Sequence, residues 1–358
     1  MMALCALKRL ACLLFITLSL CSLPRAGAAA TPAPLPSGVF LPIQVHVAVR
    51  ILNVSRIAAT EGEASMMVEL TERWSNPALA FDPKVSGFGR IDTVGDEAVQ
   101  TLSSMWTPGT EIENQITTAR TEATSVSVRA DGTVTRIRRI DADFRVDIDM
   151  TSFPFDHQDL TLSMVSPRHA ADEVIYVMND LDREMSSIET DVSASNWTGK
   201  RLSVVMERYH GWNARPFVRV KAMAEVERAW QYYVLPLFVP FLAVTSVAVF
   251  ILWARVSLIG DKAPITYSAL LALAALSFTY ESSFPGSISM NSPIAVMVSL
   301  GYFYLIAVLL TDIVLIYADY PGKQRYPHLE PEIRAYIRLA IPAIFLLICL
   351  SVAFNALT

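Results

Sequence analysis

Between Gly260 and Pro285 the chain reads GDKAPITYSALLALAALSFTYESSFP. At about 1.5 Å per helical residue this stretch is long enough to cross a bilayer. Steps of three and four place Asp261, Pro264, Ser268, Leu271, Ala275, Phe278 and Ser282 on one helical stripe. The stripe carries a carboxylate at one mouth, then a hydroxyl, an apolar middle and a small polar exit, with Glu281 as a second charge near that exit. The chemistry such a face suits is conduction, through a water-lined pore whose apolar rings gate by expelling water. Small residues on one face also let membrane helices pack closely. The stripe alone leaves both readings open.

The elements that would hold this stripe follow from how charge is spread. Hydrophobic residues make up 53% of the 358, and mean hydropathy is +0.39. Residues 230–254 contain no Asp, Glu, Lys or Arg, and residues 263–318 contain only Glu281 and Asp312. Residues 31–229 hold 28 acidic and 20 basic residues, a net of −8. The chain divides into an acidic, soluble-type first part and a membrane part. The first thirty residues have the pattern of a secretory signal. Lys8 and Arg9 precede an apolar run from Leu10 to Leu20, and Ala26-Gly27-Ala28 or Ala28-Ala29-Ala30 offers a small-residue cleavage site. Cys5, Cys12 and Cys21 fall within that segment, and Cys349 lies in an apolar run. The exported domain is therefore expected to be held by its core without disulfides.

After a Pro-rich leader, Ile43 to Leu52 alternates with the period of a strand, and Ser65 to Trp74 reads as its partner. Further strands are expected at Ser125–Arg129, Val134–Ile140, Asp159–Val165, Leu202–Arg208 and Phe217–Val226, with Asp131-Gly132 as a hairpin turn. Many short strands over some 200 residues point to an all-β sandwich, with one helical turn near Asp92 to Met105. Four hydrophobic spans follow at about 230–253, 263–283, 292–317 and 335–357. Arg255 and Lys262 after the first span, and Lys323, Arg325 and Arg334 after the third, put those connections in the cytoplasm. The domain before the spans then lies outside the cytoplasm, in agreement with the export signal.

Phe153-Pro154-Phe155-Asp156-His157-Gln158 matches the Phe-Pro-x-Asp-x-Gln core of the signature loop of pentameric ligand-gated ion channels, the Cys-loop receptor superfamily. Trp74, Trp106-x-Pro108 and Arg228 stand where that family places them, and Gly260-Asp261-Lys262 with Ser268 and Leu270-Leu271 is similar to the start of a cation-conducting pore helix. The chain resembles the family from about Val45 onward. It looks most like bacterial members, because Val146 and Leu160 replace the bridging cysteines and the third-to-fourth connection, Asp319 to Arg334, is short.

The resemblance implies a homopentamer in a lipid bilayer, residues 1–30 as signal peptide, 31–228 as an extracellular ligand-binding sandwich and 229–358 as the transmembrane domain. Asp261 would then form a carboxylate ring that concentrates monovalent cations; it also suits a helix N-terminus. Leu271 and Phe278 would form the constriction, although Phe278 also fits packing between helices. Coupling to the pore would run through Asp156 and Arg228, Glu61 or Glu63, the Phe153-Pro154 tip, and the loop from Pro285. The agonist site would lie under the last hairpin, where this chain offers Tyr209, His210 and Trp212, with Arg168, His169, Glu111 and Glu113 in the adjoining loops. That set makes an incomplete aromatic box, which speaks against a quaternary amine. The agonist is expected to be another small molecule or the proton, with His157 as a candidate sensor. A solvated loop histidine and ordinary hairpin packing of Tyr209 and Trp212 are the plainer readings.

The alternative function is a non-conducting membrane sensor with the same sandwich. No H-E-x-x-H, G-x-S-x-G or phosphate-loop motif occurs, so no catalytic residue, cofactor or nucleic-acid partner is expected. The acidic run Asp180 to Asp191 lacks the spacing of a calcium loop and reads as a solvated loop, so no metal site is assigned.

Overall fold

The structure, a computed structural model, describes residues 34–36, 38–194, 196–211, 214–253, 259–285, 292–317 and 329–357. The expected signal segment and Trp212 lie outside the described residues, as does most of the loop after Pro285.

Eleven strands form two sheets among the described residues: β1 (Ile43–Ala58), β2 (Glu63–Ser75), β3 (Arg90–Val94), β4 (Glu111–Ile112), β5 (Thr121–Arg129), β6 (Thr133–Arg145), β7 (His157–Val165), β8 (Val174–Val177), β9 (Ser187–Ile188), β10 (Trp197–His210) and β11 (Pro216–Arg228). One sheet runs β3-β5-β6-β2-β1-β8 with β9 beside β1, and the other runs β10-β11-β7-β4. Alternation decides what each face does. Val45, Val47 and Val49 of β1 and Met66, Val68 and Leu70 of β2 point inward, against Leu160, Leu162 and Met164 of β7 and Val220, Ala222 and Ala224 of β11. The next inward position on β2 is charged. Glu72 is fully buried, gripped by Arg136 of β6 and by the Thr110 hydroxyl, which sits 2.8 Å from the Tyr176 hydroxyl. Pairing and hydrogen bonding are what make a buried charge tolerable.

The expected Asp131-Gly132 turn joins β5 to β6. Gly132 has φ +83°, and a Cβ there would meet the Asn76 carbonyl at 2.6 Å, so glycine is required twice over. The single helical turn expected near residues 92–105 is resolved into β3 followed by α1 (Asp96–Ser103). The acidic run corrects the sequence reading more sharply. Asp180–Met185 is a short helix, α2, closed by a capping box in which Asn179 and Asp182 bond each other's backbone N–H. Asp182 is buried against Arg73 and His46 rather than solvated.

After Arg228 the chain turns directly into the apolar helices. Trp230–Tyr233 is a tight 3-10 turn and Val234–Phe238 a wide π-type turn, leading into α3 (Val239–Trp253). Pro236 and Pro240 supply no backbone N–H to this stretch, which loosens it. α4 (Ile259–Ser283), α5 (Pro293–Tyr317) and α6 (Leu329–Leu357) complete four helices long and apolar enough to cross a membrane. Phe241, Ile251, Leu273, Tyr280, Met297 and Leu305 form their shared core, and α6 is the least covered of the four.

Candidate functional site

Three arrangements bring together the residues singled out in the sequence. The first is the junction between sandwich and helices. Arg228 is the last inward position of β11, and Asp156 and Gln158 open the inward face of the neighbouring β7. The alternation that builds the core therefore delivers a cation and its partner to the bottom of the same layer. Arg228 Nε and Nη2 donate to Asp156 Oδ1 and Oδ2 at 2.5 and 2.9 Å. Gln158 donates to Asp156 Oδ2 at 2.6 Å and also clamps both backbone groups of Asp149. Side-chain exposure is 6% for Arg228 and 2% for Asp156, so the pair is a desolvated two-pronged bridge. Burial works against the arginine charge, but the bonds to Asp156 outweigh it and raise the Arg228 pKa.

Aromatic rings enclose this pair. The guanidinium lies 4.1 Å from the Trp197 ring centre, 4.9 Å from Phe153 and 5.6 Å from Tyr233, and bonds the Tyr233 hydroxyl at 3.1 Å. Phe153, at the tip of the signature loop, sits 5.2 Å from both Tyr233 at the start of the first membrane segment and Phe284 just past α4. Phe155 packs on Trp230 and Phe238. The Phe153-Pro154 bond is cis. One loop thus touches the entry of the first helix and the exit of the second.

The remaining coupling candidates sit around this core without joining it. Glu61 and Glu63 pair with Arg56 on the β1–β2 turn, at 3.5 and 3.8 Å. That turn meets the start of the signature loop through the Val146 N–H, which donates to the Gly62 carbonyl at 2.9 Å. Gly62 has φ +67°, and a Cβ there would press on the Val146 oxygen at 3.2 Å. His157 is exposed and lines a cavity of about 340 Å³ with Asp149, Thr151, Phe155, Asn355 and Ala356, where the end of α6 comes up against the loop. Pro285 is an exposed turn residue, and the contact expected of it is made by its neighbour Phe284.

The second arrangement is α4. Pro264, Ser268, Leu271, Ala275, Phe278 and Ser282 are all exposed, Leu271 at 73% and Phe278 at 76%. Lys262, Thr266, Ala269, Leu273 and Tyr280 are buried. At about 100° per residue the two sets centre on opposite sides of the helix. Exposure extends beyond the stripe to Tyr267, Ala274, Thr279 and Glu281. Ser268 and Ser282 donate to the Pro264 and Thr279 carbonyls, at 2.9 and 3.0 Å, which lets hydroxyls sit on the face without unmet donors. Tyr280 fixes the helix by donating to the Leu237 carbonyl at 2.6 Å. Asp261 lies in the first turn of α4, and its side chain is outside the described residues.

The third arrangement is the last hairpin. Arg219 of β11 lies 4.2 Å over the Tyr209 ring of β10 and bonds Glu113 at 2.8 Å and Glu207 at 2.9 Å. Lys221 reaches Glu207 at 3.0 Å, and these bonds hold the Glu207 carboxyl below the usual range. Burial raises the Tyr209 hydroxyl pKa, and the charge of Glu113 adds to the shift. His169 lies 5.5 Å from the Trp106 ring and bonds Glu173 at 3.0 Å, which places it in a separate group. Arg168 is exposed next to His169 in the chain, Glu111 is exposed on β4 opposite Val165, and His210 is exposed at the end of β10. Sequence reasoning missed Arg219, although its place opposite Glu207 follows once the β10–β11 register is known.

Residues 33–229 match the family model described as the neurotransmitter-gated ion-channel ligand binding domain. Over 327 residues the chain is 21% identical to the acetylcholine receptor subunit alpha-type deg-3 of Caenorhabditis elegans, covering 85% of this chain and 55% of that protein. The chain spans about half the length of this curated relative. The family match takes in more than half of the chain and stops where the apolar helices begin, and the chain belongs to the Cys-loop superfamily of pentameric channels, a family of membrane channels and not of enzymes.

Proposed function

We propose that this protein is a ligand-gated ion channel in which five copies of the chain surround a cation-selective pore lined by α4. The observation that carries the reading is the uncovered stripe of α4, set opposite the side that packs on the other helices. A lipid-facing role fits this stripe less well. At 1.4, the mean hydropathy of α4 is the lowest of the four helices, the others lying between 2.3 and 2.5. Hydroxyls at both ends of an apolar middle suit contact with water and a hydrophobic gate. Asp261 starts the same stripe, where a ring of carboxylates would favour cations.

Gating follows from the junction. A ligand biases the pore only by binding the open and closed arrangements unequally. Phe153 touches Tyr233 and Phe284 together, so a shift of the signature loop moves the first helix and the end of α4 at once. The hairpin bears on what the ligand is. Arg219 already covers the Tyr209 face, so that ring is closed to an amine. The agonist in this reading is a small molecule other than a quaternary amine, or the proton.

Cysteine accessibility tests the pore assignment. In a Cys349→Ser background, Ser268→Cys and Phe278→Cys should react with a water-soluble thiol reagent that then blocks current, whereas Ala269→Cys and Leu273→Cys should not. Equal reactivity on both sides of α4 would remove the helix from the pore wall.

A further inference from the structure

One cavity lies in neither the hairpin nor the junction. It measures about 720 Å³ and opens on the seven-stranded sheet, between the segment Val39–Gln44, the upper ends of β1 and β2, the β5–β6 hairpin and α2. That volume is within the range of small-molecule sites. Its walls are mixed: Phe40, Leu41 and Leu181 are large apolar side chains exposed around it and Pro42 adds a rigid side, while Gln44, Ser75, Thr133 and Asn179 supply polar groups. Arg73 and Arg129 line it beside His46, and no carboxylate does.

The acid that holds two of these residues, Asp182, is itself fully paired. Asp182 is buried, with Oδ1 bound by Arg73 Nη2 at 2.7 Å and Oδ2 by His46 at 2.9 Å and the Asn179 N–H at 3.0 Å. It fixes Arg73 and His46 in place and anchors α2, while facing none of its own charge into the space. Arg129, at the end of β5, is exposed, and its charge is felt by the Asp131 carboxyl two residues on. A partly apolar chamber of ligand size, bordered by the guanidinium groups of Arg73 and Arg129 and with no carboxylate in its lining, is complementary to a small organic carboxylate. A carboxylate has the planar fork that a guanidinium matches, and an attached ring or short chain would cover the exposed Phe40 and Leu181.

We infer that this cavity is a second ligand site, on the opposite sheet from the hairpin, that takes an aryl or short-chain alkyl carboxylate. Bound there, such a ligand would tie the upper ends of β1 and β2 to the α2 segment. The inference stands apart from the channel reading, because it is a statement about binding and is tested by binding.

The test is calorimetric titration of the full-length, detergent-purified protein with benzoate, hexanoate and the neutral isostere benzamide. Both carboxylates should bind, with benzamide at least about tenfold weaker, a difference of about 1.4 kcal/mol. Arg129→Gln, which changes an exposed strand end, should weaken benzoate about tenfold, and Leu181→Trp should do so by filling the chamber. Arg219→Gln in the hairpin should leave benzoate unchanged. Circular dichroism of each variant guards against misfolding. The inference is overturned if benzamide matches benzoate, if neither pocket variant alters binding, if Arg219→Gln abolishes it, or if no carboxylate binds up to ~10 mM.

Discussion

Arg228 and Arg219 lie nine residues apart on one strand, each held by carboxylates and covered by aromatic rings, yet they are suited to opposite tasks. Arg228 faces the core layer, exposed by 6%, with its partner Asp156 at 2%. Arg219 faces out from the sheet, exposed by 21%, with Glu113 and Glu207 more exposed still. The spacing of nine exchanges one face of the strand for the other. Water therefore screens the hairpin cluster and is excluded from the junction. A desolvated pair cannot lose one partner cheaply, which suits a fixed mechanical link; a half-solvated cluster can rearrange around a ligand at small cost.

The sharpest way to break the comparison is at the junction. Asp156→Ala leaves the Arg228 guanidinium buried without its anion and should cost about 3–5 kcal/mol, read as a lowered melting temperature and loss of the assembled oligomer on size exclusion. Arg228→Lys keeps the charge but not the fork, and should recover only part of that loss, since one ammonium cannot meet both Asp156 oxygens. Full stability in either variant would mean that the bridge is dispensable. At the hairpin, Arg219→Gln should change stability by no more than ~1 kcal/mol, as expected of a partly exposed pair. It uncovers the Tyr209 ring, so binding of tetramethylammonium should rise by about two- to fivefold.

The smallest effect concerns pH. Arg219 and Lys221 hold Glu207 below the usual carboxylate range, so its contribution is complete above the ordinary glutamate value and disappears only as pH falls through the lower folded value. Glu207 therefore stays charged between pH ~7 and ~5. Glu207→Gln should leave any pH response of the current in that window unchanged. A shifted response would make the hairpin the proton sensor.

What the sequence disclosed depended on periodicity. β1, β2, β7 and β11 alternate over enough residues to be read directly, whereas Asp156 and Arg228 fall just beyond the strands so read and were singled out by the resemblance of the signature loop. β4, β8 and β9 have two to four residues each and carry no period, so only pairing reveals them. α2 was hidden by its composition: three acids in six residues look solvated until Arg73 and His46 arrive from strands more than 100 residues away. For the same reason the contacts of Phe153 with Tyr233 and Phe284 were not legible, because they depend on packing across the two layers. On α4 the stripe itself was written in three-and-four spacing, whereas the burial of the opposite side emerged only with the neighbouring helices in place.

The most direct test of the channel assignment is the reversal potential in a planar bilayer containing the purified protein under a sodium chloride gradient, recorded with Leu271→Ser to weaken the apolar ring. Current reversing near the sodium potential, and losing that preference in the added Asp261→Ala variant, is the expected result. Reversal near the chloride potential would contradict the cation-selective pore, and silence from inserted, assembled protein would contradict conduction through α4 altogether.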